Sequence, residues 1–291
     1  MSAVEVLRLP LSVDLAGFVA LLRRLQVPHR VVEEGEEQVL WAPQAIAADV
    51  HELYQRYPDG NADLQLADSG LPALAPTRPS LKEQARAAKV TTFTLFLCLL
   101  VAGITNLGDN LATIAWFSFL PFQVQGEYLY FTGFAQSLAE GQWWRLVSPM
   151  LLHFGVLHLA MNGMWYWELG RRIESRQGPL MLLALTLLFS LVSNLAQHFS
   201  SGPGLFGGLS GVLYGLLGHV WLYHKLAPSP QFSLPRGVLG MMLIWLLVCL
   251  SGVVGKLGFG EIANAAHVGG LLIGCLTGLL GGMIARRKLA A

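Results

Sequence analysis

Six long apolar stretches fill the C-terminal two thirds of this 291-residue chain, at about 90–107, 147–170, 179–197, 208–223, 237–254 and 262–284. A bilayer-spanning helix needs roughly 20 mostly apolar residues. In a bilayer the backbone must satisfy its own hydrogen bonds, so such stretches are confined to helices. Only 13% of the residues are charged, against roughly 25% in soluble domains. The fold class expected is therefore an α-helical polytopic membrane protein, a bundle of six transmembrane helices. Lys and Arg set its orientation. Lys82, Arg86 and Lys89 precede the first stretch, and Arg171, Arg172 and Arg176 separate the second from the third. Lys225 and Arg236 separate the fourth from the fifth, and Arg286, Arg287 and Lys288 follow the sixth, whereas the alternate connections hold only Arg145 and Lys256. Both termini are expected on the cytoplasmic side.

The first 58 residues differ in kind. Val4 to Leu9 has strand character, and Ser12 or Asp14 is placed to cap a helix whose apolar face is Leu15, Phe18, Leu22 and Leu25. His29 to Glu34 and Glu37 to Trp41 form a hairpin around Gly35, and a second helix carries Ile46, Val50, Leu53 and Tyr57 on one face. This is a small N-terminal α+β cytoplasmic domain (1–58). A linker follows over 59–89, rich in Pro, Gly, Ala and Asp up to about Ser80. The helical part occupies 90–285 and a basic tail 286–291. The N-terminus lacks the continuous apolar core of a signal peptide, since Asp14, Arg23 and Arg24 interrupt Leu9 to Leu25. Cys98, Cys249 and Cys275 all lie in apolar runs and are expected as packing residues. A net charge of +1 gives no footprint for nucleic acid.

Chemistry concentrates on two glycine-flanked polar residues. Gly208-Leu209-Ser210-Gly211 opens the fourth stretch after a glycine-rich loop. A lone membrane serine usually serves packing or a backbone hydrogen bond. Here a small-residue turn exposes the hydroxyl, and a helix N-terminus offers N–H groups to an oxyanion. His267 sits in Ala266-His267-Val268-Gly269-Gly270, near the outer end of the sixth stretch. An ionisable group inside a membrane helix marks function by default, the bland alternative being a buried structural imidazole. The topology puts Ser210 and His267 at similar depth. Gly211 and Gly215 repeat at i, i+4 after Ser210, and Gly270, Gly274, Gly278 and Gly282 form a ladder after His267, so the fourth and sixth helices are the expected tight pair. No carboxylate is evidently placed behind His267: Glu168 and Glu174 lie towards the inner side and Glu261 in an outer loop. A Ser-His dyad is expected, with Tyr214 one turn past Ser210 placed either to hold the imidazole or simply to pack.

His158 and Asn162 are spaced i, i+4 on the second helix and share a face. Both are able to donate hydrogen bonds to an oxyanion, or to tie helices together as a structural pair. His153 is expected to point elsewhere and to bond the outer connection. That connection, Gly108 to Arg145, holds Trp116, Phe117, Phe119, Tyr128, Tyr130, Trp143 and Trp144. Such a crowd of aromatics favours a segment lying partly in the outer leaflet, or a plain aromatic belt.

Taken together, Trp144-Arg145, His158-x-x-x-Asn162, Gly208-Leu209-Ser210-Gly211 and Ala266-His267-x-x-Gly270-x-x-x-Gly274 resemble the rhomboid family of intramembrane serine proteases, and the small front domain is similar to that of the bacterial GlpG-type members. The resemblance implies Ser210 as nucleophile, His267 as general base, and His158, Asn162 and the Ser210 N–H around the oxyanion, with Tyr214 and Gly208 in support. It implies a membrane-embedded first loop at Gly108 to Arg145 and a cap at Gly252 to Ile262. It further implies transmembrane protein substrates, the bilayer as partner, the bacterial inner membrane as location, and no metal or organic cofactor. Two rival readings stand beside it. One is a non-catalytic membrane binder or chaperone with the same fold. The other is a haem or metal protein using His153, His158, His198, His219 and His267, whose spacing forms no consistent ligand set.

Overall fold

The computed structural model describes residues 3–60, 80–235, 237–256 and 262–290, with residues 289 and 290 described by backbone alone. It divides into two compact units, Met1–Pro79 and Ser80–Ala291. Most of the expected linker, residues 61–79, lies outside the described residues, as do Arg236, Glu261 and residues 257–261 of the expected cap.

The first unit is α+β. Strands β1 (Ala3–Pro10), β2 (Arg30–Glu34) and β3 (Glu37–Pro43) form an antiparallel sheet in the order β1-β3-β2. Gly35, at φ 67°, supplies the left-handed conformation that the β2–β3 turn needs. Helices α1 (Ala16–Arg24) and α2 (Ala47–Arg56) contribute Phe18, Leu22, Val50 and Leu53 to a core shared with Leu40 and Ala42 of β3. Strand alternation explains the split: Leu40 and Ala42 face the helices while Val39 and Trp41 face away. Asp14 accepts a hydrogen bond from the Ala16 N–H at 2.8 Å, just ahead of α1. Arg8 forms ion pairs with Glu5, Glu34 and Glu37, linking all three strands. The Glu5 carboxyl is held below its ordinary value, first by the hydrogen bond from Arg8.

The second unit is almost wholly helical. Its elements are α3 (Leu81–Ala87), α4 (Lys89–Ile104), α5 (Leu111–Phe117), a β4–β5 hairpin (Phe122–Gln125, Tyr128–Phe131) and α6 (Phe134–Ala139). Then come α7 (Val156–Gln177), α8 (Pro179–Ser201), α9 (Ser210–Leu226), α10 (Val238–Leu250) and α11 (Asn264–Ala290). Among the described residues α8 and α11 are each long and apolar enough to cross a membrane. The pair α3–α4, bent by 104°, makes a third if it is one span, and α10 is a shorter apolar helix.

One sequence-based expectation shifts here. The second helix was expected from about Val147 but begins at Val156. Pro149 lies in a 3₁₀ turn over Ser148–Leu151, and Gly155 takes φ 104°, which an α-helix cannot continue through. Gly108 to Arg145 is structured, not a plain loop. Arg145 donates to the carbonyls of Ala115 (2.6 Å) and Ser118 (2.9 Å), satisfying the C-terminal end of α5. Trp144 and Ser148 donate to the carbonyls of Trp116 and Phe117.

Helix α9 is the axis of this unit, buried without a break from Gly211 to Val220. A helix apolar on every side belongs in the middle of a bundle. Its closest partner is α11. A Cβ on Gly270 would overlap the Gly211 carbonyl oxygen, one on Gly274 the Gly215 carbonyl oxygen, and one on Gly278 would lie 2.5 Å from the His219 oxygen. Contact advances by four residues on both helices, so they run parallel, backbone against backbone, over two turns. At the other end of the unit, Glu174 of α7 accepts from the Val90 N–H (2.8 Å), the Thr91 N–H (2.9 Å) and the Thr91 hydroxyl (2.8 Å). This carboxylate caps the first turn of α4 from a neighbouring helix.

Candidate active site

Parallel packing brings the leading ends of α9 and α11 to one level. Ser210 is the first residue of α9, and His267 lies in the first turn of α11. The His267 Nε2 and the Ser210 Oγ are 2.8 Å apart. Behind the ring, Nδ1 is buried without a hydrogen-bond partner among the described residues. With the Ser210 hydroxyl donating to Nε2, the proton of the neutral ring sits on Nδ1. The Tyr214 ring lies 5.0 Å from the imidazole, tilted by 44°, and its hydroxyl donates to the Met242 carbonyl of α10 at 3.0 Å. Tyr214 is thus fixed at both ends, by α9 and by α10. Gln197 of α8 accepts from the Ala266 N–H at 3.2 Å and so pins the residue beside His267.

The approach to Ser210 is shaped by two glycines. Gly208, at φ 111°, donates its N–H to the Pro149 carbonyl at 2.9 Å. A Cβ there would meet His158 Nε2 at 2.7 Å. A Cβ on Gly207 would lie 2.6 Å from the Leu152 Cβ. Only glycine lets the chain lie flush against the Ser148–Leu151 turn and the His158 ring.

The tautomer of His158 follows from its partner. Its Nδ1 accepts from the Phe154 N–H at 3.3 Å, so the neutral ring carries its proton on Nε2, the atom turned towards Gly208. Asn162 donates from Nδ2 to the His158 carbonyl at 2.8 Å, and the same nitrogen faces Gly208. Ser210 opens α9, so its N–H is among the donors a helix leaves without an internal partner. Three donors therefore gather about the Gly208–Ser210 corner.

His153 departs from expectation. It does not bond the outer connection. Its Nδ1 lies 3.1 Å from the Leu151 carbonyl, and its ring is 5.2 Å from that of His158. Spacing along a helix misplaced it because residues 152–155 are not helical, so His153 has no helical phase relation to His158. His198 is boxed by the rings of Phe119, Phe134 and Phe199, and His219 bonds Thr277 and Gln177 at 3.0 Å each. Among the described residues, no three His, Cys, Asp or Glu side chains are grouped as a metal site. Residues that sequence reasoning passed over are Gln197, and Glu174 as a cap. The nearest signal was their polarity within apolar helices.

Comparison with known proteins identifies the family. A model of the rhomboid domain matches residues 140–284, and a model of the rhomboid N-terminal domain matches residues 1–68. The chain belongs to the rhomboid family. It is a helical polytopic membrane fold with a small α+β front domain. The chain is similar to a protein named rhomboid protease GlpG from Yersinia pestis (strain Pestoides F), 37% identical over 193 residues, covering 66% of this chain and 63% of that one. The counterpart of the same name from Yersinia pseudotuberculosis serotype O:3 (strain YPIII) gives the same figures. That from Pectobacterium atrosepticum is 39% identical over 175 residues, covering 60% of this chain and 62% of its own. The match thus spans a little under two thirds of the length of these relatives. As a rhomboid, the chain carries Ser210, His267, His158 and Asn162 all inside the matched domain.

Proposed function

We propose that this chain is an intramembrane serine endopeptidase that hydrolyses peptide bonds in or near transmembrane segments of other proteins. The observation that carries this reading is the 2.8 Å contact between Ser210 Oγ and His267 Nε2, at the paired ends of two tightly packed helices. Support comes from relatives whose name includes rhomboid protease.

In this reading Ser210 Oγ attacks the scissile carbonyl carbon while His267 Nε2 takes its proton. The tetrahedral oxyanion is met by the His158 Nε2–H, the Asn162 Nδ2–H and the Ser210 N–H. Collapse expels the amine, which leaves with the proton from His267. Water, activated by the same imidazole, then attacks the ester carbonyl and releases the acid and the serine. Among the described residues no carboxylate bonds the His267 Nδ1, so in this reading a dyad performs both transfers, with Tyr214 keeping the ring in place. A substrate helix must unwind locally, because intact helical hydrogen bonding shields its carbonyls, so glycine or other helix-weakening residues near the cut favour cleavage.

The same reading gives six membrane crossings by α4, α7, α8, α9, α10 and α11, with both termini cytoplasmic and the dyad near the outer surface of a bacterial inner membrane. The Lys and Arg bias of the connections supports this orientation. The chain divides into the 1–58 front domain, the 59–89 linker, the 90–285 protease part and the 286–291 tail. A serine-reactive fluorophosphonate probe tests the nucleophile without knowledge of the substrate. It labels the parent and not Ser210→Ala. Equal labelling of both would overturn the assignment, and no labelling of either would favour a binder without catalysis.

A further inference from the structure

Away from Ser210, on the outward side of the Ser148–Leu151 turn, lies a groove of about 620 Å³. Ligand clefts run from about 300 to 1,000 Å³. Its walls are Ile104 at the end of α4, Trp116 and Phe117 of α5, and Trp144, Met150 and Leu151. The polar groups that border it are turned inward. Thr113 Oγ1 donates to the Ile104 and Asn110 carbonyls, Ser148 Oγ to the Phe117 carbonyl and Trp144 Nε1 to the Trp116 carbonyl. A peptide or a sugar would bury its own polar groups there without partners, at a cost in free energy. A hydrocarbon chain has none to lose.

The groove also continues a surface that lipid must cover. Phe93, Phe96, Leu100 and Ile104 recur at helical spacing along α4, and all are exposed. Ile104 ends that stripe and begins the groove. Trp116 and Trp144 stand exposed at its rim, as indoles do at a membrane–water interface.

We propose that this groove binds one acyl chain of an outer-leaflet phospholipid as a fixed component of the fold. The chain runs from the lipid-facing stripe of α4 up between Trp116 and Trp144. The site is joined to the candidate active site through one turn: Ser148, Met150 and Leu151 line the groove, and Pro149 between them accepts the Gly208 N–H. The bound chain therefore braces the floor on which the Ser210 loop rests, a consequence that depends on the protease reading; the binding itself depends only on the membrane orientation proposed with it.

Native mass spectrometry tests the binding without any cleavage assay. The full chain is extracted in a mild detergent and exchanged repeatedly into fresh detergent. The parent is expected to keep one phospholipid per chain. Ile104→Trp and Thr113→Phe, which fill the groove, are expected to lower that occupancy at least tenfold. Phe96→Trp, which adds bulk on the same stripe outside the groove, is expected to keep it. The proposal is overturned if the parent keeps only detergent or free fatty acid, if both filling variants keep the phospholipid, or if Phe96→Trp loses it equally. Should one filling variant fail to fold, the other decides.

Discussion

Gly270→Ala is the most searching change in the second unit. The added Cβ would lie 2.9 Å from the Gly211 carbonyl carbon, with the carbonyl oxygen nearer still, whereas ordinary contact begins at 3.4 Å. The obstacle is backbone, not the end of a mobile side chain, so α11 must retreat from α9. Clearing the carbon alone takes about 0.5 Å (3.4 less 2.9), and clearing the oxygen takes more. His267 lies one helical turn away on the moving element. Its 2.8 Å bond to Ser210 would open to about 3.3 Å at the least, beyond the usual range of a hydroxyl hydrogen bond. Misplacement by 1 Å costs on the order of 10²-fold in rate, so about tenfold or more is expected here. Overpacking of this kind also costs about 1–3 kcal/mol of stability. The assay is the initial rate of cleavage of a tagged single-span protein in liposomes, paired with thermal unfolding in detergent. Gly240→Ala is the control, because nothing among the described residues lies within 4 Å of an added Cβ there. Gly270→Ala with a rate within twofold of the parent and an unchanged unfolding temperature would refute the argument from close helix approach.

Other expectations follow from the same contacts. His158→Ala and Asn162→Ala each remove a donor at the Gly208–Ser210 corner; each is expected to lower kcat by about 10²–10³-fold with little change in KM, as steady-state kinetics would show. In the front domain, Arg8 depresses the Glu5 carboxyl in the folded state. A depressed folded value means the pairing contributes fully above the ordinary Glu range and is lost as pH falls through the lowered value. Arg8→Gln should return Glu5 to its ordinary titration, followed by carboxyl NMR, and an unmoved Glu5 would show that Arg8 is not the cause.

Much of the site was legible because membrane burial makes polar residues conspicuous. Ser210, His267, His158 and Asn162 stood out against apolar surroundings, and the four-residue glycine ladder named the α9–α11 pair. Tyr214 against His267 followed from one turn of helix. What failed was phase. Hydropathy ran unbroken from Val147 into the second helix, yet Pro149 and Gly155 delay that helix to Val156, and His153 turned towards His158 instead of away. The cap that Glu174 places on α4 joins residues 83 positions apart, and no local pattern encodes such a contact. Likewise the three donors of Glu174 are backbone and hydroxyl groups of α4, which no spacing along α7 could reveal.

The measurement that bears most directly on the dyad is cleavage of a single-span substrate in liposomes by the parent, Ser210→Ala and His267→Ala. The account predicts that the parent cuts, that both variants lose cleavage, and that the double variant is no worse than either alone, since the two groups act as a unit. Cleavage by Ser210→Ala at the rate of the parent would contradict it.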